Sequence, residues 1–356
     1  MAATVGFVAT DLLNKEDDAS GSSDEATPDA LPDAPPDDEG EQALVTLVTD
    51  GLQATGGDGV DSYILDPAVE GTFTTSITAG NGDDSIDLGD TYVRGGPFLA
   101  DGQIDGGAGD DVIMAVGGGS TITGGAGDDT IAGFLLGSSV TGGEGDDSIN
   151  VLSGGGDATT VDGGAGNDTL DGTLSDNIRL LGGAGDDVIT TAGVSYDGTN
   201  FFIVANGGEG NDTLTHEVEV FPLPRMHEPG FPATYGPRMA GGAGADSFEF
   251  VLTSESGSYT PYPDDPTIFI NDAARIVDFE RGVDTLSIDL SALDPRYVVE
   301  SGQLRDDTAR GTTVLSLRLT SDTLPIQLVQ ITVSPLGLRW GDVTFIGQAP
   351  ATLAVA

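Results

Sequence analysis

The chain has 356 residues, with 59 acidic side chains against 12 basic ones and a formal net charge of −47. This charge excludes a nucleic-acid partner, because no face of the protein can neutralise a phosphate backbone. The absence of cysteine excludes disulfides and thiolate metal sites. No apolar run is long enough to form a transmembrane segment. Glycine contributes 55 residues, about twice its usual share, which indicates that glycine recurs with a period.

The first 50 residues are strongly acidic and poor in apolar anchors. They contain 13 acids and one lysine, with four prolines between residues 28 and 36. Such a segment buries too little apolar surface to offset its ordering entropy, so residues 1–50 are predicted to be a disordered tail. The first ten residues lack a basic residue, and the sequence therefore does not indicate a cleaved secretory signal.

From residue 56 the sequence repeats a block of the form Gly-Gly-x-Gly-x-Asp nine times, with Ala79 in place of the first glycine in the second copy. The blocks end at Asp61, Asp84, Asp111, Asp129, Asp147, Asp168, Asp187, Asp212 and Asp246. Two residues further on stands a large apolar residue: Tyr63, Ile86, Ile113, Ile131, Ile149, Leu170, Ile189, Leu214 or Phe248. This nine-residue unit is typical of calcium-binding parallel β-helices.

The shortest steps between blocks, from Asp111 to Asp129 and from Asp129 to Asp147, are twice the length of the unit, so a second kind of unit lies between them. An apolar residue precedes six of the blocks in a constant phase: Ile77, Ile104, Ile122, Val140, Val161 and Leu180. The positions matching the motif aspartate in these units are Thr75, Gly102, Ser120, Ser138, Thr159 and Ile178. The intervening units are therefore predicted to keep the short strand but to lack the acid, so that calcium lines one edge of a coil of two strands.

Ligand chemistry indicates that the metal is calcium, since this ion takes six to eight hard oxygen ligands at about 2.3 to 2.6 Å. Glycines allow positive φ and close approach of backbone carbonyls, and a short aspartate completes the shell. Successive turns stack at about 4.8 Å and are expected to share each ion, which gives at most about eight ions for nine turns. The acids at the fifth position of the block are expected to face solvent rather than bind metal: Asp83, Asp110, Asp128, Asp146 and Asp186.

In its repeated motif and in the spacing of the copies, the chain resembles the RTX (repeats-in-toxin, hemolysin-type calcium-binding) proteins over about residues 55–295. After the last block, the segments 276–279, 282–284 and 288–291 resemble the C-terminal cap of serralysin-like modules. The resemblance implies a right-handed parallel β-roll, calcium-dependent folding, and export by a type I secretion system that reads an uncleaved C-terminal signal, here within about the last fifty residues. It also implies that the nine motif aspartates are the metal ligands.

Where the spacing between motif copies departs from two units, the sequence gives weaker support for a calcium site. The longer steps on either side of Ala79, and the longest step, which follows Gly207, are expected to interrupt the stacking. The firmest sites are expected where the step stays close to two units, which is the case for Asp111, Asp129, Asp147, Asp168 and Asp187.

Two His-Glu pairs, 216–217 and 227–228, lie in the longest step among several prolines. Because no His-Glu-x-x-His spacing is present and the prolines disfavour a helix, this segment is predicted to be a surface loop without zinc. The sequence also has no Gly-x-Ser-x-Gly nucleophile motif. We therefore expect no catalytic residues and no enzymatic activity.

After residue 295 alternating apolar residues predict strands over 313–320, 326–333 and 343–346. The expected fold is all-β: an acidic tail (1–50), a calcium-binding parallel β-roll (51–250) and a β-rich C-terminal cap (251–356).

The expected function is a secreted, calcium-dependent structural or adhesive surface protein, with cell-surface or matrix glycans as possible partners. The alternative is a non-catalytic accessory module of a secreted protease, lipase or polysaccharide-modifying enzyme. A third interpretation is an ice- or glycan-binding surface on the Ser/Thr-rich edge, although these hydroxyls are expected to bond to the turn backbone.

Overall fold

The computed structural model describes residues 43–47, 51–66, 69–89, 98–154, 157–173, 175, 177–192, 202–220, 236–254, 268–324 and 326–355. Within them the chain forms 28 strands and one short 3-10 helix, η1 (Trp340–Asp342). The strands belong to two sheets of 14 strands each, which we call sheet 1 and sheet 2.

Sheet 1 holds the strands that follow the motif turns and two short additions, β4 and β7. Its members are β1 (Ala43–Leu47), β3 (Asp61–Leu65), β4 (Thr72–Phe73), β6 (Ser85–Leu88), β7 (Phe98–Ala100), β9 (Val112–Gly118), β11 (Thr130–Leu136), β13 (Ser148–Leu152), β15 (Thr169–Gly172), β17 (Val188–Ala192), β19 (Thr213–Glu219), β21 (Ser247–Thr253), β23 (Thr285–Asp289) and β27 (Val343–Ile346).

Sheet 2 holds the strands that lead into the motif turns and a C-terminal group. Its members are β2 (Leu52–Thr55), β5 (Thr75–Asn81), β8 (Gln103–Ala108), β10 (Thr121–Ala126), β12 (Ser139–Glu144), β14 (Thr159–Ala165), β16 (Asn177–Ala184), β18 (Phe202–Glu209), β20 (Arg238–Ala243), β22 (Ile268–Ile276), β24 (Val298–Asp307), β25 (Thr312–Thr320), β26 (Ile326–Val333) and β28 (Leu353–Val355).

The chain alternates between the two sheets, and each coil adds one parallel strand to each of them. In sheet 1, for example, Ile131 of β11 is in register with Ile113 of β9 and Ile149 of β13. In sheet 2, Ile122 of β10 is in register with Ile104 of β8 and Val140 of β12. The predicted parallel β-roll with two strands per coil is therefore confirmed.

The core lies between the two sheets and consists of the apolar residues that the period identifies. Ile86, Ile113 and Ile131 from sheet 1 and Ile77 and Ile122 from sheet 2 are all exposed by 1% or less. Because side chains in a strand alternate between its two faces, one apolar residue per unit suffices to form a continuous inner row. The intervening units therefore supply half of the core.

Close stacking of the turns explains why the motif has glycine at its second position. Gly125 adopts φ +133°, and a Cβ on it would collide with the carbonyl oxygen of Gly107 one coil earlier. A side chain is therefore excluded both by the backbone conformation and by the neighbouring turn.

The parallel pairing extends beyond both expected borders of the roll. β1 pairs with β3, so the roll includes Ala43–Leu47, and the tail boundary at residue 50 is too late by one strand. The run from Ala43 to Leu47 has the apolar and β-branched composition of a strand, which the acidity of the surrounding segment obscured. Residues 1–42, for which disorder was predicted, lie outside the described residues.

At the C-terminal end, β22 and β23 still pair in parallel with roll strands on one side and with β26 and β27 on the other. The two sheets thus run through residue 250 without interruption. β25 and β24 then add to β26 in antiparallel fashion. The three strands predicted after residue 295 are confirmed as β25, β26 and β27. The last strand, β28, pairs with β24 and lies within the segment predicted to carry the secretion signal.

Candidate metal-binding edge

The two sheets bring the nine motif aspartates into one row along one edge of the roll. Each aspartate ends a glycine turn and stands at the start of a sheet 1 strand, and each is exposed by only 4% or less. The row contains Asp61, Asp84, Asp111, Asp129, Asp147, Asp168, Asp187, Asp212 and Asp246. Burial of nine carboxylic acids in one row requires partners for their oxygens. We call this row the aspartate ladder.

One oxygen of each carboxylate binds the backbone of the neighbouring turn. The N–H of Asp111 donates to Oδ1 of Asp129 at 2.8 Å, and the N–H of Asp129 donates to Oδ1 of Asp147 at 2.8 Å. The pattern continues without a gap from Asp61 through Asp246, with N–O distances of 2.6 to 3.0 Å. The side chain of each coil therefore satisfies a buried donor of the coil before it.

The ladder corrects the expectation that long steps interrupt the stacking. The longest step, between Asp212 and Asp246, is bridged at 3.0 Å, and the step between Asp84 and Asp111 at 2.7 Å. In the sequence the extra residues fall between consecutive strands rather than within the motif turns, so the turns themselves keep their spacing. Between Asp84 and Asp111, part of the insertion forms β7, which pairs with β4 and β9 at the margin of sheet 1.

In seven of the nine aspartates the other carboxylate oxygen is buried and has no hydrogen-bond partner among the described residues. This holds for Oδ2 of Asp84, Asp111, Asp129, Asp147, Asp168, Asp187 and Asp212. Around Gly124, a Cβ would collide with Oδ2 of Asp129 and would approach the carbonyl oxygen of Gly142 to 2.8 Å. The same pairing of an Oδ2 atom with the first-glycine carbonyl of the next coil surrounds Gly106, Gly142, Gly163 and Gly182. In each of these turns two oxygens that could bind a metal thus lie close together. When the carboxylate is ionised, neither oxygen carries a hydrogen that it could donate to the other.

The buried row is electrostatically unfavourable when every carboxylate is ionised. Burial, together with the neighbouring ladder carboxylates, raises the pKa of Asp129 and Asp187 to about 7, although the backbone N–H bond at Oδ1 opposes both effects. Burial and nearby carboxylates likewise raise the pKa of Asp84, Asp111, Asp147 and Asp212 to about 6. The pKa values of Asp168 and Asp246 are also raised by burial. A cation at the Oδ2 side would remove this penalty.

The aspartate ladder has a tenth member that does not match the Gly-Gly-x-Gly-x-Asp motif. The N–H of Asp246 donates to Oδ1 of Asp284 at 3.1 Å, which continues the pattern by one coil. Asp284 follows Gly282-Val283 but lacks the two leading glycines, so the block does not match, and only the trailing Leu286 at the apolar position signals it.

The two ends of the ladder differ from its middle. Oδ2 of Asp284 accepts from the N–H of Glu280 at 2.6 Å, and Oδ2 of Asp61 accepts from the N–H of Gly57 at 3.1 Å. In addition, both oxygens of Asp278 accept from the N–H groups of Gly241 and Gly242, where a further glycine turn would otherwise stack. The ends are therefore closed by backbone donors, whereas the seven unpartnered Oδ2 atoms lie between them.

The first turn has an additional oxygen that sequence reasoning did not assign. Tyr63 occupies the apolar position of its unit, is fully buried, and its Oη has no hydrogen-bond partner among the described residues. A Cβ on Gly56 would collide with this Oη, with Oδ2 of Asp61 and with the carbonyl oxygen of Ala79. Burial, followed by the charges of Asp61 and Asp84, raises the pKa of Tyr63, so the phenol is neutral. The first turn therefore offers three oxygens where the others offer two.

The fifth-position residues form a second, exposed ladder beside the first. The N–H of Asp128 donates to Oδ1 of Asp110 at 2.9 Å, and the N–H of Asp146 donates to Oδ1 of Asp128 at 2.8 Å. These bonds run toward the preceding coil, opposite to the direction of the aspartate ladder. The predicted exposure of Asp83, Asp110, Asp128, Asp146 and Asp186 agrees with the structure, but their backbone-bonding role was not foreseen.

The opposite edge of the roll carries a row of buried hydroxyls. Oγ of Ser138 accepts from the N–H of Ser120 at 3.2 Å and donates to the carbonyl of Leu136 at 3.2 Å. Oγ of Ser120 accepts from the N–H of Gly102, and Oγ1 of Thr159 donates to the carbonyl of Leu135 at 2.8 Å. The expectation that these hydroxyls bond to turn backbone is confirmed for these residues.

The structure corrects the prediction of a surface loop at His216 and Glu217. Both residues lie in β19, and His216 points into the core, exposed by 3%. Its Nδ1 lies 3.0 Å from Oγ1 of Thr191, and its ring packs edge-on against Phe250. Burial lowers the pKa of His216 to about 4, so the ring is a neutral core residue. His227 and Glu228 lie outside the described residues.

Among the described residues, no three His, Cys, Asp or Glu side chains gather into a metal cluster. The oxygens that each turn of the aspartate ladder offers to a metal are instead one carboxylate oxygen and backbone carbonyl oxygens. The described part of the chain also contains no helix with the length and apolar character needed to cross a membrane. No protein-family model matches the chain, and no curated protein matches it with significant sequence similarity.

Proposed function

We propose that this chain is a calcium-binding RTX-type β-roll protein that folds on binding Ca²⁺ outside the cell and acts as a structural or adhesive surface protein. The observation that carries the proposal is the row of seven buried, unpartnered Oδ2 atoms along one edge. Each buried carboxylate oxygen without a partner costs stability, and a row of them is tolerable only when protons or cations neutralise it.

The donor set favours calcium over other metals. The ladder supplies only carboxylate and carbonyl oxygens, which are the ligands of Ca²⁺ and Mg²⁺ rather than of zinc or copper. Calcium accepts several backbone carbonyls in irregular geometry, whereas magnesium demands a near-octahedral shell and keeps most of its water. Asp84, Asp111, Asp129, Asp147 and Asp168 are examples of residues that would hold the ions, together with the first-glycine carbonyls of the following coils. With nine motif turns, at most about eight ions fit between them.

Coupling of binding to folding follows from the charge. The chain carries a net charge of −47, and the ladder adds buried carboxylates at strand spacing, so self-repulsion opposes the compact state until cations bind. Extracellular calcium modules bind at about 10⁻⁴ to 10⁻³ M. A chain of this affinity stays unfolded at cytosolic calcium levels, which suits export by a type I system, and folds in the extracellular medium. The proposal includes no enzymatic activity.

The direct test is circular dichroism and isothermal titration calorimetry of the full chain, first in excess chelator and then titrated with Ca²⁺ or Mg²⁺. We expect the β signal to develop cooperatively with calcium, with a stoichiometry of several ions per chain, and to respond weakly to magnesium. A β signal already complete in chelator, or an equal response to both cations, would contradict the proposal.

A further inference from the structure

One row of outward-facing residues crosses sheet 2 without a single acid, although the chain has 59 of them. Its members are in register from strand to strand, in the order Gln53, Ser76, Gln103, Thr121, Ser139, Thr160, Arg179, Val204, Arg238, Arg275, Thr332, Val314 and Arg305. The half from Arg179 to Arg305 contains four arginines, and we call it the arginine row. The other half contains only amide and hydroxyl side chains.

The four arginines of the row are exposed and form no ion pair with a described residue. Four other arginines behave differently, because Arg281, Arg296, Arg310 and Arg318 each pair with an acid of the C-terminal region. Four of the five described arginines without an ion pair thus lie on one line of a protein that is otherwise strongly acidic, and the fifth is Arg339.

The arrangement within the row is costly without a bound anion. Arg238 and Arg275 are direct register partners on adjacent strands, which lie about 4.8 Å apart. Like charges at neighbouring positions of a sheet destabilise it. Arg179 stands two strands from Arg238, at about 9.6 Å by the same strand spacing. The row therefore presents cations at intervals of one, two and three strands along a flat face.

We propose that the arginine row binds a linear polysaccharide that carries carboxylate or sulfate groups. An extended sugar chain rises by close to one strand spacing per sugar, so anionic groups on successive or alternate sugars match the intervals of the row. Guanidinium groups bind both anions through paired N–H donors. The amide and hydroxyl half offers neutral hydrogen-bonding groups along the same line. This inference rests on the proposed adhesive role for its biological meaning, but the surface is separate from the aspartate ladder.

The face is less suited to an acidic peptide or to nucleic acid. The row lies inside a sheet whose strands pair on both sides, so it offers no free backbone edge for a peptide strand to join. The residues between the arginines are Val204, Thr332 and Val314, whose side chains are half-buried and carry no charge that would pair with an acidic peptide. Four cations in a chain of net charge −47 are too few to hold a nucleic-acid backbone.

The test is binding of the full chain, in saturating calcium, to immobilised hyaluronate and dextran sulfate, with neutral dextran and polyglutamate as comparisons. The variant pair is R238Q/R275Q, and the matched control is R310Q/R318Q, which removes the same charge from ion-paired positions. Circular dichroism of each protein in calcium shows whether it is folded, so a failure of calcium-dependent folding is visible separately from a failure of glycan binding.

We expect the wild type and R310Q/R318Q to bind one or both anionic glycans, with affinity that falls as salt rises, and R238Q/R275Q to lose at least tenfold in affinity while remaining folded. The carboxylated and sulfated arms identify which anion is preferred. The proposal is overturned if R238Q/R275Q binds like the wild type, if both variant pairs lose affinity equally, if neutral dextran binds as well, or if polyglutamate is the better ligand.

Discussion

The two edges of the roll share one pattern of backbone hydrogen bonds but differ in whether their side-chain oxygens are fully paired. On both edges a backbone N–H of one coil donates to a side-chain oxygen of the next coil, as from Asp129 to Asp147 and from Ser120 to Ser138. The serine hydroxyl then donates its own hydrogen to a carbonyl, which completes its bonding. The aspartate has no hydrogen to donate, and its second oxygen stays unpartnered. One edge therefore has all its hydrogen-bonding groups paired, while the other keeps carboxylate oxygens that a proton or a cation would neutralise.

The largest effect is expected from replacing two ladder aspartates by asparagine, D129N/D147N. Asparagine keeps the Oδ1 acceptor but removes a buried charge, so we expect a stronger β signal than wild type in chelator and lower stability in calcium. When the calcium concentration is 100 times the Kd, each bound ion contributes about 2.7 kcal/mol, so the loss in calcium should be about 5 kcal/mol for two ions. Circular dichroism in chelator measures the first effect, and urea unfolding in calcium, with calorimetry to count ions, measures the second.

The matched control is D128N/D146N, which makes the same change of charge in the exposed fifth-position ladder and also keeps the Oδ1 acceptors. It should leave the number of bound ions unchanged. If the two double variants behave alike, the aspartate ladder is not the metal-binding row.

A second prediction concerns the space beside the first glycine of each turn. In Gly124→Ala the new Cβ would collide with Oδ2 of Asp129, and we expect the roll to form with at least tenfold weaker calcium affinity at that turn, or about 1.4 kcal/mol. The chain already has alanine at the equivalent position of the second turn, Ala79. The reverse change, A79G, should therefore raise the affinity of that turn. Calcium titration of both variants checks the pair, and opposite signs are required.

The third prediction is the pH dependence of the metal-free chain. The pKa values of the ladder aspartates are raised in the folded state, to about 6 or 7, above the unfolded value of about 4. The folded state thus binds more protons, so this stability is present below about pH 4 and is lost as the pH rises through about 6 to 7. In chelator, the β signal in circular dichroism should therefore fall as the pH rises over this window. Saturating calcium should remove the fall, and D129N/D147N should make it smaller. A β signal that rises over the same window in chelator would refute the assignment.

The smallest dependence on calcium is expected on the hydroxyl edge. Ser138→Ala leaves the buried N–H of Ser120 without an acceptor, which costs about 1 to 3 kcal/mol. Because no charge is involved, the loss should be equal at the lowest calcium concentration that folds the chain and at saturating calcium, and the number of bound ions should not change. Urea unfolding at these two calcium concentrations gives the comparison. A loss that depends on calcium would show that the hydroxyl edge also takes part in metal binding.

Much of the fold was predictable because its period is short and strictly local. The residues that recur at the apolar position, such as Ile86, Ile113 and Ile131, are the core, and the units between the motif copies supply the second sheet. The motif aspartates were placed on one edge by spacing alone. Asp284 was missed because its turn lacks the leading glycines, and its membership depends on stacking against Asp246. His216 was assigned to a loop because prolines follow it, although its register with Thr191 and Phe250 places it in the core.

The sequence by itself determined the repeat, the two strands per coil, and the separation of acids from hydroxyls, because each depends on residues within one or two units. Tertiary structure alone decided which atoms of neighbouring coils meet. Stacking leaves seven Oδ2 atoms unpartnered, bridges the long insertions, brings Tyr63 to the first turn, and aligns Arg179, Arg238 and Arg275 across steps of unequal length. The physical reason is that the insertions fall between strands in the sequence, so contacts between coils follow strand register rather than distance along the chain.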